Sequence, residues 1–392
     1  WTAAARGTTA VQSGRAGRGA GTSLSIIVSS SSPLDQYIVN NPEYFFDNSP
    51  EAGIVDPDNL VILLSHIKCA AFELPFSETE EYGINFKGEN GLSSTRDILE
   101  YLEEMQIIHY SGGKWHWMAE TYPAESISLR SAAQENVVIV DTTRRERVIG
   151  EIDLFAAQLM VHDEAIYLHG GVQYYVDKLD WKRRKAFTHQ VSVDHYTDAQ
   201  LKTNLRILEI TKDENKISHH AAYGEVVVTS VATMYKKIKF NTHENIGWGK
   251  IHLPEIEIHT QAFWYSFPEN IHERLEIDKQ SIGDGLKGIA NVMRNIIPVF
   301  IMGDRRDFDS LPMVRSPLSG RPSFFIWEHY PGGVGYSQKL YSIYNDIAGA
   351  AEKHIQQCGC DNGCPSCVGP VLEVGQMGKI VSLKLLNYML KL

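Results

Sequence analysis

Cys358-Gly-Cys360-Asp-Asn-Gly-Cys364-Pro-Ser-Cys367 places four cysteines within ten residues, in a chain of 392 residues that has only five. The spacing is C-x-C-x3-C-x2-C. Soft thiolates at this spacing suit one tetrahedral Zn(II) with all four positions filled by protein. Gly359 and Gly363 let the backbone fold tightly around an ion, and Cys364-Pro-Ser-Cys367 has the form of a knuckle. Two other readings stay open on the residues alone. One is a four-thiolate iron–sulfur centre, which uses the same ligand set. The other is a pair of disulfides, which fits poorly with the otherwise intracellular character of the sequence. A closed four-cysteine site has no open coordination position, so it is read as structural.

The length allows two or three domains, each with its own core. Composition is that of a globular protein, 43% hydrophobic, 22% charged and 10% aromatic. Apolar stretches such as Val299-Phe-Ile-Met302 are far too short to span a membrane. The chain opens Trp1-Thr-Ala-Ala-Ala with no cationic segment before an apolar run, so neither a secretory signal nor a natural start is expected and the chain reads as a fragment. The net charge of −11 argues against a nucleic-acid binder held by overall charge. Phosphate contacts would come from local patches. These are Lys178 with Lys182-Arg183-Arg184-Lys185 beside Trp181 and Phe187, then Arg144-Arg145-Glu-Arg147, then Lys236-Lys237-Ile-Lys239.

Upstream of these lies Gly14-Arg15-Ala-Gly17-Arg18, two arginines three apart, set off by glycines. Such a turn can present two guanidiniums to a polyphosphate. Leu24-Ser-Ile-Ile-Val28 reads as a short buried strand and residues 31–54, punctuated by Pro33, Pro42 and Pro50, as a connector. From Asp56 the apolar residues recur at helical spacing (Leu60, Leu63, Leu64, Ile67, Ala70, Ala71), and a second helix is expected over Ser94–Met105. Ile107–Tyr110, Ser111-Gly112-Gly113 and Lys114–Trp117 then read as a β-hairpin. Helices followed by a hairpin outline a winged-helix module whose wing would bring Lys114, Trp115 and Trp117 near nucleic acid. The competing reading has the tryptophans filling the core.

Beyond Arg130 many short strands are expected, among them Asn136–Val140, Val172–Val176, Leu205–Ile210, Gly224–Val228 and Lys237–Phe240, suggesting a small barrel or strongly bent sheet. The histidines of this region are read as structural, since neither H-E-x-x-H nor the P-C-x-x-C partner of H-x-E occurs. Helix returns over 268–302. The acids Asp304, Asp307, Asp309 and Glu328 offer a metal-dependent nuclease as a minor alternative. Pro331-Gly332-Gly333-Val-Gly335 is a glycine-rich turn before a helix over about 336–357, a form that can bind an anion.

Two resemblances follow from these motifs. Gly14–Arg18 is similar to motif VI, Q-x-x-G-R-x-G-R, of superfamily 2 helicases, with Val11 standing where the family carries Gln. The resemblance implies that Arg15 and Arg18 face a nucleotide bound between two RecA-like lobes. No G-x-x-x-x-G-K-[ST] loop and no D-E-x-[DH] box occurs in the chain, so ATP hydrolysis is not expected of it alone. The whole order of motifs, with Ile166–Tyr175, Pro331–Gly335 and Cys358–Cys367 as anchors, resembles the C-terminal part of the MrfA-type DNA helicases, named for mitomycin repair, with their zinc-binding (MZB) domain. Glu328 stands where an Asp is usual.

The implied fold is α/β and multi-domain: the end of a RecA-like lobe and connector (1–50), a winged-helix module (51–130), a β-rich, barrel-like domain (131–265) and a C-terminal α+β zinc-binding domain (266–392). The implied parent is an ATP-dependent 3′–5′ DNA helicase of damage repair, cytoplasmic and nucleoid-associated. It would use ATP and Mg(II) together with Zn(II) on Cys358, Cys360, Cys364 and Cys367. Its partners would be single-stranded or forked DNA and other repair proteins, with DNA contacts at Lys114, Trp115, Lys182, Arg183 and Arg184. The alternative of a different class is a zinc-stabilised nucleic-acid or protein adaptor without motor activity.

Overall fold

The structure, a computed structural model, describes residues 21–47, 53–83, 95–127 and 136–391. Arg15 and Arg18, and with them the expected end of a RecA-like lobe, lie outside the described residues. The chain divides into two compact units. The first comprises Trp1–Ile127, Ile207–Val226 and Thr260–Leu392, and the second Ser128–Arg206 and Val227–His259.

The stretch read as a connector carries two helices, α1 (Pro33–Asn40) and α2 (Glu43–Phe46). Pro33 sits in the first turn of α1, where its missing N–H costs nothing, so it opens a helix rather than breaking the chain. Leu34, Ile38 and Tyr44 join the main core of the first unit. Leu24–Val28 forms no strand. Leu24, Ile26 and Val28 are 80%, 74% and 87% exposed, because no partner strand meets them among the described residues.

The winged-helix portion is built from α3 (Leu60–Glu73), β1 (Phe76–Ser77), α4 (Thr95–Glu104), β2 (Ile108–Ser111) and β3 (Lys114–Trp117). Ile98, Leu99 and Leu102 share one face of α4 and pack on Leu63, Ile67 and Ala71 of α3. Gly112 and Gly113, at φ +62° and +81°, close the β2–β3 hairpin with the left-handed pair that a two-residue turn requires. β1 lies on the outer side of β3, Phe76 opposite Trp115.

In the second unit β4 (Asn136–Asp141), β5 (Arg147–Asp153), α5 (Leu154–Met160), β6 (Ile166–His169), β7 (Val172–Asp180) and β8 (Lys185–Val191) form a sheet of order β5-β4-β8-β7-β6. All neighbours are antiparallel except β4 and β8. The two edges curl toward each other: a Cβ on Gly150 of β5 would lie 3.3 Å from the His169 ring of β6. α5, capped by Asp153 accepting from Ala156 N at 2.8 Å, drops Ala157 into the core with Val137, Ile139, Tyr174 and Val176. A strongly bent sheet is what the sequence led one to expect. The separate short strands expected further on are in fact two very long ones, β9 (His195–Asn215) and β10 (His220–Lys239).

A second sheet takes the order β11-β10-β12-β14-β13, with β9 also on β10, where β11 is Asn245–Lys250, β12 Ile256–Ser266, β13 Phe308–Met313 and β14 Ser323–Glu328. β9, β10 and β12 each divide their residues between the two units. In the first unit the buried aromatics Phe263, Tyr265 and Phe324 of β12 and β14 share one core with the helices that follow α6 (Ile271–Arg274). These are α7 (Ile282–Phe300), α8 (Tyr336–Gln357), α9 (Val371–Val374) and α10 (Gly378–Leu390). α7 buries thirteen residues, including Leu286, Ile289, Met293 and Ile296, because it is wrapped by sheet on one side and helices on the other.

Candidate functional site

The four cysteines of the quoted stretch lie where α8 ends and the chain turns toward α9. Their sulfur atoms all fall within 4.8 Å of one another. The closest approaches are 3.5 Å for Cys358–Cys364 and for Cys360–Cys367, 3.6 Å for Cys358–Cys360 and 3.7 Å for Cys364–Cys367. Four sulfurs about 2.3 Å from one Zn(II) form a tetrahedron with edges of about 3.8 Å. The spacing therefore fits a single ion. It is too wide for disulfides, which need about 2.05 Å, and all five cysteines are free thiols. A multinuclear iron–sulfur cluster would splay the thiolates round several metal atoms and needs a wider cage. No other such grouping of metal-binding side chains occurs among the described residues.

The backbone builds this cage with specific devices. Cys367 N and Gly369 N both donate to Cys364 O at 3.1 Å, closing the knuckle. Gly363 and Gly369 adopt φ +131° and +116°, and a Cβ on either would lie 2.9 Å from a valine methyl. Lys379, at the start of α10, is 9% exposed and donates its ammonium to Cys358 O at 2.6 Å and also to Cys360 O. It has no carboxylate partner among the described residues. One Zn(II) with four thiolates carries two net negative charges, so the site supplies the counter-charge that this buried ammonium otherwise lacks. Burial pushes the Cys358 and Cys367 thiols above the usual thiol range. A cation replacing their protons is the natural way to discharge that cost. The four cysteines fit Zn(II), with Lys379 as an outer support that sequence reading missed. His354 spends its ring Nε2 on Ser366 O at 2.7 Å, so it orders the knuckle rather than adding a ligand.

The glycine-rich turn after β14 is filled from inside. Glu328 is fully buried, and its carboxylate accepts from Val334 N and, at the start of α8, from Ser337 N, each at 2.6 Å. An internal carboxylate thus occupies the helix N-terminus that an external anion would use. The same loop is tied to the winged helix. Asn59 caps α3 by accepting from Val61 N and Ile62 N at 3.0 and 3.2 Å. Its amide nitrogen meanwhile donates to Pro331 O at 3.0 Å and Gly333 O at 2.6 Å. Asn59 carried no sequence signal beyond its place before a helix.

The remaining acids are also occupied. Asp304 pairs with Arg306 at 3.1 Å, Asp307 accepts from the Tyr330 hydroxyl at 2.9 Å, and Asp309 pairs with Arg294. They form no shared metal grouping, and the nuclease reading has no geometric support.

The expected nucleic-acid residues separate. Lys114 is exposed at the start of β3. Trp115 is 3% exposed, its ring centre 4.7 Å from that of Tyr110 and tilted 53° to it in the module's core, which corrects its assignment as a contact. Lys182 and Arg183 are exposed in the β7–β8 turn, whereas Arg184 is half-buried with its guanidinium 5.7 Å from the Trp181 ring centre. α4, the helix before the wing, carries Asp97, Glu100, Glu103 and Glu104 against Arg96 alone, and Arg96 is paired to Glu100 at 2.8 Å. That surface repels phosphate.

Two family matches account for this combination of parts. Residues 55–132 match the winged helix domain of the ATP-dependent helicase HRQ1, and residues 289–368 match the MZB family, the MrfA Zn-binding domain. In these two regions the chain is similar to MrfA- and HRQ1-type helicases. Among relatives, it is 47% identical over 380 residues to the uncharacterized ATP-dependent helicase YprA of Bacillus subtilis (strain 168), covering 96% of this chain and 49% of that protein. Crystal structures of the DUF1998 helicase MrfA are also similar. One is bound to DNA (46% identity, TM-score 0.58, 94% of this chain and 48% of that one), and one is bound to DNA and AMPPNP (43%, 0.54, 98% and 48%). The chain spans about half the length of these relatives.

Proposed function

We propose that the chain is the C-terminal portion of an ATP-dependent DNA helicase that tracks 3′ to 5′ and serves the repair of damaged DNA in the cytoplasm, at the nucleoid. The observation that carries this reading is the occurrence of an HRQ1-type winged helix and an MrfA-type zinc domain in one chain that is 47% identical to a helicase over nearly its whole length. The solved MrfA complexes, one with DNA and one with DNA and an ATP analogue, support DNA and ATP as ligands of the complete protein. Arg15 and Arg18 would then neutralise charge on the phosphate being transferred, the role of an arginine finger. The zinc site would keep the end of α8 and the start of α10 in register.

The first test is to join the chain to the first lobe of the protein and measure DNA-stimulated ATPase, then unwinding of duplexes with a 3′ or a 5′ single-stranded tail. The expected result is unwinding of the 3′-tailed substrate only, with loss of ATPase in Arg18→Ala. ATPase that ignores Arg18, or unwinding from the 5′ tail, overturns the assignment. The adaptor reading rests on the missing phosphate-binding loop. It predicts DNA or protein binding indifferent to Arg15 and Arg18 and no ATPase in the joined protein.

A further inference from the structure

The hairpin of β10 and β11 presents two faces that differ in what explains them. Tyr235 lies opposite Gly249, and Lys237 opposite Gly247. On this inner face Tyr235 is 1% exposed, and a Cβ on Gly249 would lie 2.4 Å from its ring, so the glycine is there to let the tyrosine pack. The outer face carries the alternate residues. Met234 stands opposite Lys250 and Lys236 opposite Trp248, with Ile246 on the same side of β11. Trp248 is 63% exposed, the only largely exposed tryptophan among the described residues, and Ile246 and Met234 beside it are 47% and 36% exposed. Folding accounts for Gly249 and leaves the exposed tryptophan beside it unexplained.

The charge of this strip runs against that of the chain. Residues 234–250 hold four lysines and one glutamate, in a protein of net charge −11. Glu244 is spent on Lys239 at 4.0 Å. Lys236 and Lys250, beside the indole, form no ion pair among the described residues. Lys236 stands directly across from Trp248, about 5 Å away at Cβ, and Lys250 lies two residues along β11 on the same face. β11 is the end strand of its sheet, and Ile246, Trp248 and Lys250 are all exposed on this face. An exposed ring with unpaired cations beside it on the same face is the local chemistry of a surface on which a base stacks while adjacent phosphates are neutralised. A duplex hides its base faces and offers the ring nothing to stack on.

We propose that the outer face of the β10–β11 hairpin, with Trp248 beside Lys236 and Lys250, is a docking strip for single-stranded nucleic acid. This rests on the reading of DNA as the partner and adds where, and in what form, this chain holds it.

The test is fluorescence anisotropy of the 392-residue chain with a labelled oligothymidylate and with a duplex of equal length, over a range of salt. Trp248→Ala should weaken binding to the single strand about tenfold, as loss of one stacked base does, with its salt slope unchanged. Trp248→Phe should restore most of that loss. The double variant Lys236→Glu, Lys250→Glu should flatten the slope of log K against log salt by about 1.4, two single-strand phosphate contacts. None of these should move duplex binding. If the wild-type chain binds the oligomer and all variants bind equally, the strip is overturned while DNA remains the partner. Failure of the wild-type chain to bind either DNA overturns both. A variant that loses self-association but keeps its DNA affinity overturns the proposal in favour of an edge-to-edge contact between copies.

Discussion

Asn59 holds two modules with one side chain, its oxygen on the first turn of α3 and its nitrogen on two carbonyls of the Pro331–Gly333 loop. Removing it uncaps a helix, about 1 kcal/mol, and orphans buried carbonyls, about 1–3 kcal/mol. Asn59→Ala should therefore lower unfolding free energy by about 2–4 kcal/mol in urea melts. Asn59→Asp keeps the cap, loses both donors, and should show only the second part of that cost. His162 gives a residue-scale pH dependence. It is fully buried against the Tyr235 ring at 4.8 Å, and that burial lowers its pKa below the usual imidazole range against the weaker pull of Asp163 and Glu164. A base whose folded pKa is depressed contributes stability that is present above its unfolded pKa. That stability is lost as pH falls through the folded value, since the unfolded chain takes the proton first. The wild type should lose more thermal stability than His162→Phe between pH 7.5 and 5.5, and equal losses in the two proteins would remove this assignment.

Among the elements, α7 and α10 approach more closely than side chains on both sides would allow. A Cβ on Gly288 would lie 2.1 Å from Ser382 Oγ, and one on Gly285 2.3 Å from Val381 Cγ1. Gly288→Ala should cost about 1–3 kcal/mol through overpacking, and adding Ser382→Gly should recover much of it; two costs that simply add in chemical denaturation would contradict the contact. α3, α4, α7 and the wing hairpin were legible in the sequence because each announces itself within a dozen residues, by apolar period or by Gly112-Gly113. The long strands were not. β9 runs on through Lys212-Asp-Glu-Asn215 with most of that end exposed, so the end does not alternate apolar with polar and reads as a loop after a strand. Trp115 was ambiguous for a related reason: its burial is decided by Phe76 on β1, almost forty residues away. Asn59 was silent because its partners stand more than 270 residues along the chain.

For the whole molecule, the thiolate cage belongs to the main core rather than to a surface appendage. Cys367 and Val368 are fully buried, Asn291 of α7 donates to Val368 O at 3.0 Å, and Lys379 N of α10 donates to Asn362 O at 3.2 Å. The four sulfurs themselves were the most legible feature of the chain, since ligand spacing is purely local. What they brace was not. The purified chain should contain one zinc. Chelation or Cys367→Ser should lower the unfolding midpoint and near-ultraviolet circular dichroism together, with the far-ultraviolet signal largely kept, because α7, α8 and α10 retain their apolar contacts. Chelation that leaves the midpoint unmoved would make the metal incidental to the fold.

Zinc in such a cage is also a protecting group. The sulfurs stand 3.5–3.7 Å apart, so a modest rotation brings neighbours to bonding distance once the ion is gone. The four close contacts form a ring, and a ring of four can be closed pairwise in two ways. Cys358 can join Cys360 while Cys364 joins Cys367, or Cys358 can join Cys364 while Cys360 joins Cys367. Metal stripped in air should therefore leave a mixture of two covalent isomers, neither able to take the ion back without a reductant. The handling history of a sample, as much as its sequence, then decides which molecule is being measured.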